Sequence, residues 1–546
     1  MPRINVLAEY VLQYAERRRQ IEQRSLPKNI GALLDAAADE AGEEIALHCF
    51  EDEKPITYRS LREQVNRLAN GMRSIGIKRR THVGVMMPNI SAMPVTWLAL
   101  ARLGAVMIPI NTAYTSRELK YVIEDSDAEY LFIHRDSYEV WTKMVDRPTS
   151  IPDRHIFVVA PDADKQQNWA SLSNGQDCGW TSFEEVIADD LVNLQYTSGT
   201  TGFPKGCMLT HRYWLASGMQ NAFRDGRVYK RILASTPFFY MDPQWLLLMA
   251  LYHRGTLFVA KRQSASRYMT WIREHRIQFS LMPDIVLKQP PSSLDTNHEL
   301  IRVNVYGLSK ENHHKFEERF DVTAREAYGM TEIGTGLFMP IENADMIGSG
   351  SCGIPAPFRE ACIVDSEGRH LGPGEIGELM VRGPGLTLGY YKRTESTKAA
   401  FCDGWFRTGD LFKRDERGFY YIVGRAKDMI RRAGENIAAH ELETVLVGLQ
   451  DVAEAAVVAV KDELRGEEVK AYIVPRAEVK DQHALLLQVM EHCRRNLAPF
   501  KVPRYFEFRD SLEKTASGKI AKHALQSETH DLRAGSFDRI NDEWIR

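Results

Sequence analysis

The chain has 546 residues, of which 44% are hydrophobic, 26% charged and 10% aromatic. That is the profile of a soluble globular protein with length for several domains and large cores. Lys plus Arg number 70 against 73 Asp plus Glu, a net charge of -3, so there is no basic footprint for nucleic acid or an anionic membrane surface. The longest apolar run, Trp245 to Tyr252, falls far short of the ~20 residues a bilayer crossing needs, and no membrane span is expected.

Residues 1–29 read as an N-terminal amphipathic extension. Arg17, Arg18 and Arg19 are interrupted by Glu9, Glu16 and Glu22, and the segment lacks both the apolar core of a secretory signal and the acid-poor character of a transit peptide, which points to the cytoplasm. From Tyr58 to Ile77, Leu61, Val65, Leu68, Met72 and Ile75 recur at helical spacing and lead into the apolar stretch Val83 to Met87. A second helix, Ser91 to Leu103, ends at Gly104 and feeds the run Ala105 to Ile110; Thr115 and Glu118 then form a capping-box spacing, and Tyr130 to Ile133 reads as a strand. Helices alternating with short apolar strands predict βαβ units and parallel-rich sheets.

From Cys352 to Tyr421 glycine and proline become dense around short β-rich pieces such as Leu379 to Val381, predicting a compact β subdomain. After Gly424 a charged stretch, Arg425 to Arg432, opens a new cycle: a helix from about His440, strands Ala455 to Val460 and Val469 to Val474, and a helix Ala484 to Cys493. The expected fold class is α/β, with a large N-terminal domain over 30–424, its β-rich subdomain over 352–424, and a small mobile α+β C-terminal domain over 425–546. The seven cysteines are scattered, with no C-x-x-C pair, and read as reduced structural thiols. His313 and His314 lie in the charged run Lys310 to Arg319 and read as solvated rather than metal-binding.

The sharpest local signal runs from Tyr196 through Thr197, Ser198, Gly199, Thr200, Thr201 and Gly202 to Lys205, just after a strand-like segment. Glycines let the backbone bend close to a ligand, and hydroxyls with free N–H groups form a nest of donors suited to polyphosphate, to which Lys205 adds a cation. It is no Walker A loop: Gly518-Lys519 is followed by Ile520, and Glu513 stands where that motif's first glycine belongs.

This loop resembles the phosphate-binding signature of the adenylate-forming superfamily, which contains acyl-CoA synthetases. Further matches follow in the family's order. Tyr328-Gly329-Met330-Thr331-Glu332 resembles the adenine and magnesium motif, and Gly377-Glu378-Leu379 with Arg382-Gly383-Pro384 resembles a β-subdomain motif. Trp405 to Asp410 resembles the ribose motif, Gly424 to Asp428 with Gly434 to Ile437 the hinge and the loop after it, and Lys514 to Lys519 the catalytic-lysine loop.

The resemblance implies ATP, Mg²⁺ and CoA as cofactors and substrates and a small carboxylic acid activated as its acyl-adenylate. It implies Lys519, Thr331 and Glu332 as catalytic residues, with Glu332 on the metal. Thr197 to Gly202 and Lys205 would hold phosphate, Tyr328 the adenine face, Asp410 and Arg425 the ribose; Gly434 would approach the thiol, and Lys427 would be the hinge. A homodimer is compatible with it. Other acceptors stay open, as does a non-catalytic nucleotide-binding protein; only 27 residues follow Lys519, too few for a fused carrier domain, so a carrier would act in trans.

Several departures stand out. Glu513 and Ala439 replace prolines common in relatives, and Val305 to Ser309 replaces a glycine-rich stretch that faces adenine. In the acyl-pocket segment, Tyr240 stands where relatives commonly have a histidine, and Phe239, Asp242 and Trp245 complete a stretch similar to the crotonobetaine/carnitine-CoA ligase branch. Aromatic faces beside a carboxylate suit a quaternary ammonium group; the alternative is apolar packing with Asp242 as an acid at a helix start.

Overall fold

The computed structural model describes residues 13–52, 54–160, 167–197, 204–306, 308, 310–425, 428–432, 435–462, 465–477, 481–497, 499–515, 518–529 and 531–545. Its described residues form two compact units, one of 13–197, 204–361 and 381–406, the other of 362–380 and 407–545.

The first unit is α/β. One sheet has the order Ile156–Val159, Tyr130–His134, His82–Met86, Val106–Pro109, Leu191–Thr197 and Lys205–Thr210, parallel except for the last, antiparallel pair. In a second sheet Ile45–Cys49, Thr256–Val259, Arg231–Ala234, Phe279–Leu281, Arg302–Val305 and Ala324–Met330 are all parallel. Helices Ile30–Ala41, Tyr58–Ser74, Ala92–Leu103, His211–Phe223 and Met241–His253 share one apolar core with strands of both sheets. The helix Met241–His253 is apolar nearly all round because it is buried on every side, as its run Trp245 to Leu251 shows.

Local signals act as the sequence reading expects. Thr115 and Glu118 form both halves of a capping box at the helix Ser116–Asp125, and Gly104 caps Ala92–Leu103 at φ 71°, where a Cβ would be strained. The helix over 13–22 is amphipathic, with Tyr14 and Ile21 buried and Arg17 paired to Glu342 at 2.7 Å.

The second unit is α+β. Val452–Asp462 and Gly466–Pro475 form a long antiparallel hairpin, Tyr505–Phe508 adds in parallel, and helices Ala439–Val447 and Gln482–Asn496 bury Leu442, Leu446, Leu486 and Val489 in the core of that sheet. Among the described residues no helix is long and apolar enough to cross a membrane, and none of the seven cysteines forms a disulfide there.

Candidate active site

The acyl-pocket segment joins the strand Arg231–Ala234 to the helix Met241–His253. A loop in such a position has backbone groups that must be paired without water, and here three buried side-chain amides pair them. Asn89 donates to the Thr236 carbonyl at 2.8 Å and accepts from the Phe238 N–H at 2.6 Å. Gln195 donates to the Phe239 carbonyl at 2.7 Å, and Gln244 to the carbonyls of Phe238 and Tyr240 at 3.2 and 3.0 Å. Behind them Trp97 donates to Asn193 at 3.0 Å, and Asn193 to Gln244 at 3.0 Å. Asn193 and Gln195 lie on the strand Leu191–Thr197, which ends at the phosphate-binding signature, so the pocket segment and that strand are one hydrogen-bonded body.

Along this segment Phe238 is fully buried, Phe239 and Trp245 nearly so, and the rings of Phe239 and Tyr240 meet at 4.7 Å. Asp242 occupies the first turn of the helix and accepts from the Trp245 indole at 3.1 Å. Burial raises its pKa, with the Trp245 bond opposing. Among the described residues it has no ion-pair partner. Tyr306 lies within range of its charge and of those of Arg224 and Arg302, and hydrogen-bonds to Asn304.

Thr197 pairs across the sheet with Lys205, so the two ends of the phosphate signature face each other. Ser198, Gly199, Thr200, Thr201 and Gly202 lie outside the described residues, as do Lys427 and Gly434. Lys205 Nζ stands 3.4 Å from the Ser396 hydroxyl and 5.1 Å from the centre of the Tyr390 ring.

Tyr328, Thr331 and Glu332 come together because the strands Ala324–Met330 and Gly334–Phe338 form a hairpin. Met330 pairs with Gly334, which takes φ 66° and leaves Thr331, Glu332 and Ile333 as the loop. A Cβ on Gly334 would sit 2.7 Å from the Ser217 hydroxyl. The Thr331 carbonyl accepts from buried Tyr213 at 2.9 Å, the Glu332 carbonyl from the Thr387 N–H at 2.8 Å, and Glu332 Oε1 from the Tyr390 hydroxyl at 2.8 Å. Cys207 lies beside Glu332; burial first and that carboxylate second push its thiol up, so it stays protonated.

In the second unit Asp410 and Arg425 are register partners on the antiparallel strands Trp405–Arg414 and Tyr420–Arg425, with Arg425 Nε 3.1 Å from Asp410 Oδ1. Lys519 closes a tight turn: Lys514 pairs with Ile520, Thr515 N–H donates to the Lys519 carbonyl at 2.7 Å, and Gly518 takes φ 79°. The Lys519 side chain keeps an exposed surface, yet its pKa is lowered, by desolvation first and by the Arg425 guanidinium second, with Asp410 opposing. The fold thus gathers Asp410, Arg425 and Lys519, which are far apart in sequence, within one electrostatic neighbourhood.

One expectation is corrected. His313 is not solvated: it is 3% exposed, its Nε2 lies 3.0 Å from the Ala324 carbonyl and its Nδ1 accepts from the Gly348 N–H, and burial lowers its pKa. Only His314 follows the charged face of that helix. Sequence reasoning also missed Tyr390, Asn89 and Gln195. Gly389-Tyr390-Tyr391 was visible as a glycine beside two aromatics, but nothing local tied it to Glu332.

Comparison with known proteins shows the family. The AMP-binding enzyme model matches residues 34–391, and the model of the AMP-binding enzyme C-terminal domain matches 441–519. A crotonobetaine/carnitine-CoA ligase of Shigella flexneri is 31% identical over 522 residues, 91% of this chain and 99% of the relative. Among solved structures, o-succinylbenzoate CoA synthetase from Bacillus subtilis with its acyl-adenylate intermediate superposes with a TM-score of 0.80 at 24% identity, covering 93% of this chain and 99% of that one. ATP-bound MatB from Rhodopseudomonas palustris does so with a TM-score of 0.79 at 26% identity, covering 92% and 99%. The chain belongs to the AMP-binding enzyme family, in its α/β fold of a large N-terminal domain and a smaller α+β C-terminal domain. Its activity is that of an AMP-forming acyl-CoA ligase, which uses ATP to activate a carboxylic acid and passes the acyl group to CoA.

Proposed function

We propose that this acyl-CoA synthetase activates a carboxylic acid carrying a positively charged group, with Asp242 as counter-ion and Phe239, Tyr240 and Trp245 as aromatic wall. The observation that carries the reading is Asp242 itself, a half-buried carboxylate bonded to the Trp245 indole, with no ion pair among the described residues. A bound cation compensates the cost of burying that charge, and aromatic faces attract a quaternary ammonium. The relatives named crotonobetaine/carnitine-CoA ligase support the same class of acid.

In this reading the acid's carboxylate oxygen bonds to the α-phosphorus of ATP while the bond to pyrophosphate breaks. Anion approaches anion, so positioning and charge stabilisation dominate. Lys519 neutralises the carboxylate and α-phosphate; Thr197 to Gly202 and Lys205 hold the phosphates, Tyr328 faces adenine, and Asp410 with Arg425 holds the ribose. Glu332, a nearly buried carboxylate at 6% exposure, fits Mg²⁺ as a hard oxygen ligand shared with phosphate, with Thr331 beside it. Bound there, the ion supplies neutralising charge to the phosphates. In the second half-reaction the CoA thiol gives up its proton, sulfur bonds to the acyl carbon, and AMP leaves with the former carboxylate oxygen. Gly434 would then approach the thiol, and the domain over 425–546 would turn at Lys427 relative to 30–424. The enzyme would act in the cytoplasm, a setting supported by seven cysteines that form no disulfide among the described residues.

The test is CoA-dependent AMP release from ATP over a panel of short, medium, aromatic and trimethylammonium acids, with Asp242→Asn alongside. The wild type is expected to favour the trimethylammonium acids, and Asp242→Asn to lose on the order of tenfold to a hundredfold on those and little on uncharged acids. Equal effects on both classes would remove the cation reading.

A further inference from the structure

We propose that Tyr390 is a positioning residue for the metal and phosphate groups of the first half-reaction, aiming the Glu332 carboxylate with its hydroxyl and the Lys205 ammonium with its ring. The inference rests on the reading of Glu332 and Lys205 given above, and it concerns a residue that no motif brought forward. The hydroxyl of Tyr390 donates to Glu332 Oε1 at 2.8 Å, and the face of the same ring lies 5.1 Å from Lys205 Nζ. One side chain therefore touches both an anionic and a cationic group proposed to meet ATP. The phenol gives the carboxylate a directional hydrogen bond and the ammonium an aromatic face. A hydrogen-bonded partner that fixes the orientation of a metal-binding carboxylate governs affinity for the ion.

Tyr390 is itself held before any ligand arrives. Its N–H donates to the Thr397 hydroxyl at 2.9 Å. The strap around it pairs with the strand that follows the phosphate signature: Met208 N–H to Gly389 O at 2.9 Å, Leu388 N–H to Met208 O at 3.0 Å and Tyr391 N–H to Gly206 O at 2.9 Å. Gly389 takes φ 116°, and a Cβ there would collide with the Thr397 side chain at 2.3 Å, so the strap closes only around a glycine. Beyond Tyr390 the strap is tied down again: Tyr391 donates to Asp127 at 2.9 Å, and Arg393 pairs with Asp125, which also accepts from Tyr196 at 2.8 Å. Tyr196 is the neighbour of Thr197, so both ends of the phosphate signature are anchored to the segment that carries Tyr390.

The probe is Mn²⁺ binding to the full chain in the presence of ATP, followed by electron paramagnetic resonance, with metal-free AMP binding measured in parallel. Tyr390→Phe keeps the ring and removes the hydroxyl; it is expected to weaken Mn²⁺ binding about tenfold and to leave AMP binding within about twofold. Tyr390→Leu also removes the ring and is expected to weaken ATP binding further without weakening AMP binding. Thr397→Val, which removes the hydroxyl that holds the Tyr390 N–H and leaves the Tyr390 side chain unchanged, is expected to show a smaller loss of Mn²⁺ affinity in the same direction, and it stands in if a Tyr390 variant fails to fold. Glu332→Gln separates the two ways of failing. If it binds Mn²⁺ as the wild type does, the reading of Glu332 as ligand falls and this proposal with it. If Glu332→Gln loses Mn²⁺ while Tyr390→Phe and Thr397→Val bind it normally, only the role of Tyr390 is overturned.

Discussion

The pocket segment Thr236 to Trp245 and the trio Asp410, Arg425 and Lys519 are built on opposite principles. The first is fixed by neutral amides: Asn89, Asn193, Gln195 and Gln244 are 0–3% exposed, and the carbonyls of Thr236, Phe238, Phe239 and Tyr240 accept from side-chain donors of this set. The second is fixed by charge, with an ion pair on two β-strands and a lysine whose ammonium feels both partners. A neutral buried network is costly to break and insensitive to pH, because an orphaned amide loses its bond without gaining water. A charged, partly open cluster folds at little cost but answers to pH and to every neighbouring charge. The difference suits the proposed roles: a wall that would select an acid has to keep its shape, whereas a lysine that would meet two anions has to supply charge.

Three variants would break or sharpen this contrast. The largest effect is expected from Lys519→Ala, which should cut acid-dependent pyrophosphate exchange by about 10²–10³ while transfer of a supplied acyl-adenylate to CoA changes far less; equal losses in both assays would make Lys519 structural. Gln244→Leu removes the amide that serves the Phe238 and Tyr240 carbonyls and accepts from Asn193, and should cost about 2–3 kcal/mol, read as a lower Tm. It should also raise the KM for the acid while that for ATP stays within about twofold; a lower Tm with an unchanged acid profile would show that the network serves folding alone. The smallest effect is expected from Arg425→Ala. A positive neighbour disfavours the ammonium, so its removal lets Lys519 hold its proton to higher pH, and the alkaline limb of the exchange rate should move upward. No movement of that limb would mean that desolvation alone sets the lysine.

Much of the fold was legible because its signals are local. The capping box at Thr115 and Glu118, the stop at Gly104 and the alternation of helical spacing with short apolar runs each depend on residues a few positions apart, and each forms as the sequence implies. The strand before the phosphate signature and the loop of Lys519 were legible for the same reason. His313 misled because its flanking residues are charged, while its burial comes from Ala324 and Gly348, which pack on it from elsewhere in the chain.

By itself the sequence determined the order of the phosphate, adenine, ribose and lysine motifs and hence the family and its reaction, since glycine placement and side-chain chemistry at fixed spacing are properties of short segments. Only the tertiary structure decided which of these groups have company. Tyr390 meets Glu332 across 58 positions and Gln195 meets Phe239 across 44, while among the described residues Asp242 has no ion pair and accepts from the Trp245 indole. Partners so distant are chosen by how strands and helices pack, because a hydrogen bond between remote residues exists only once the core has brought their backbones into register.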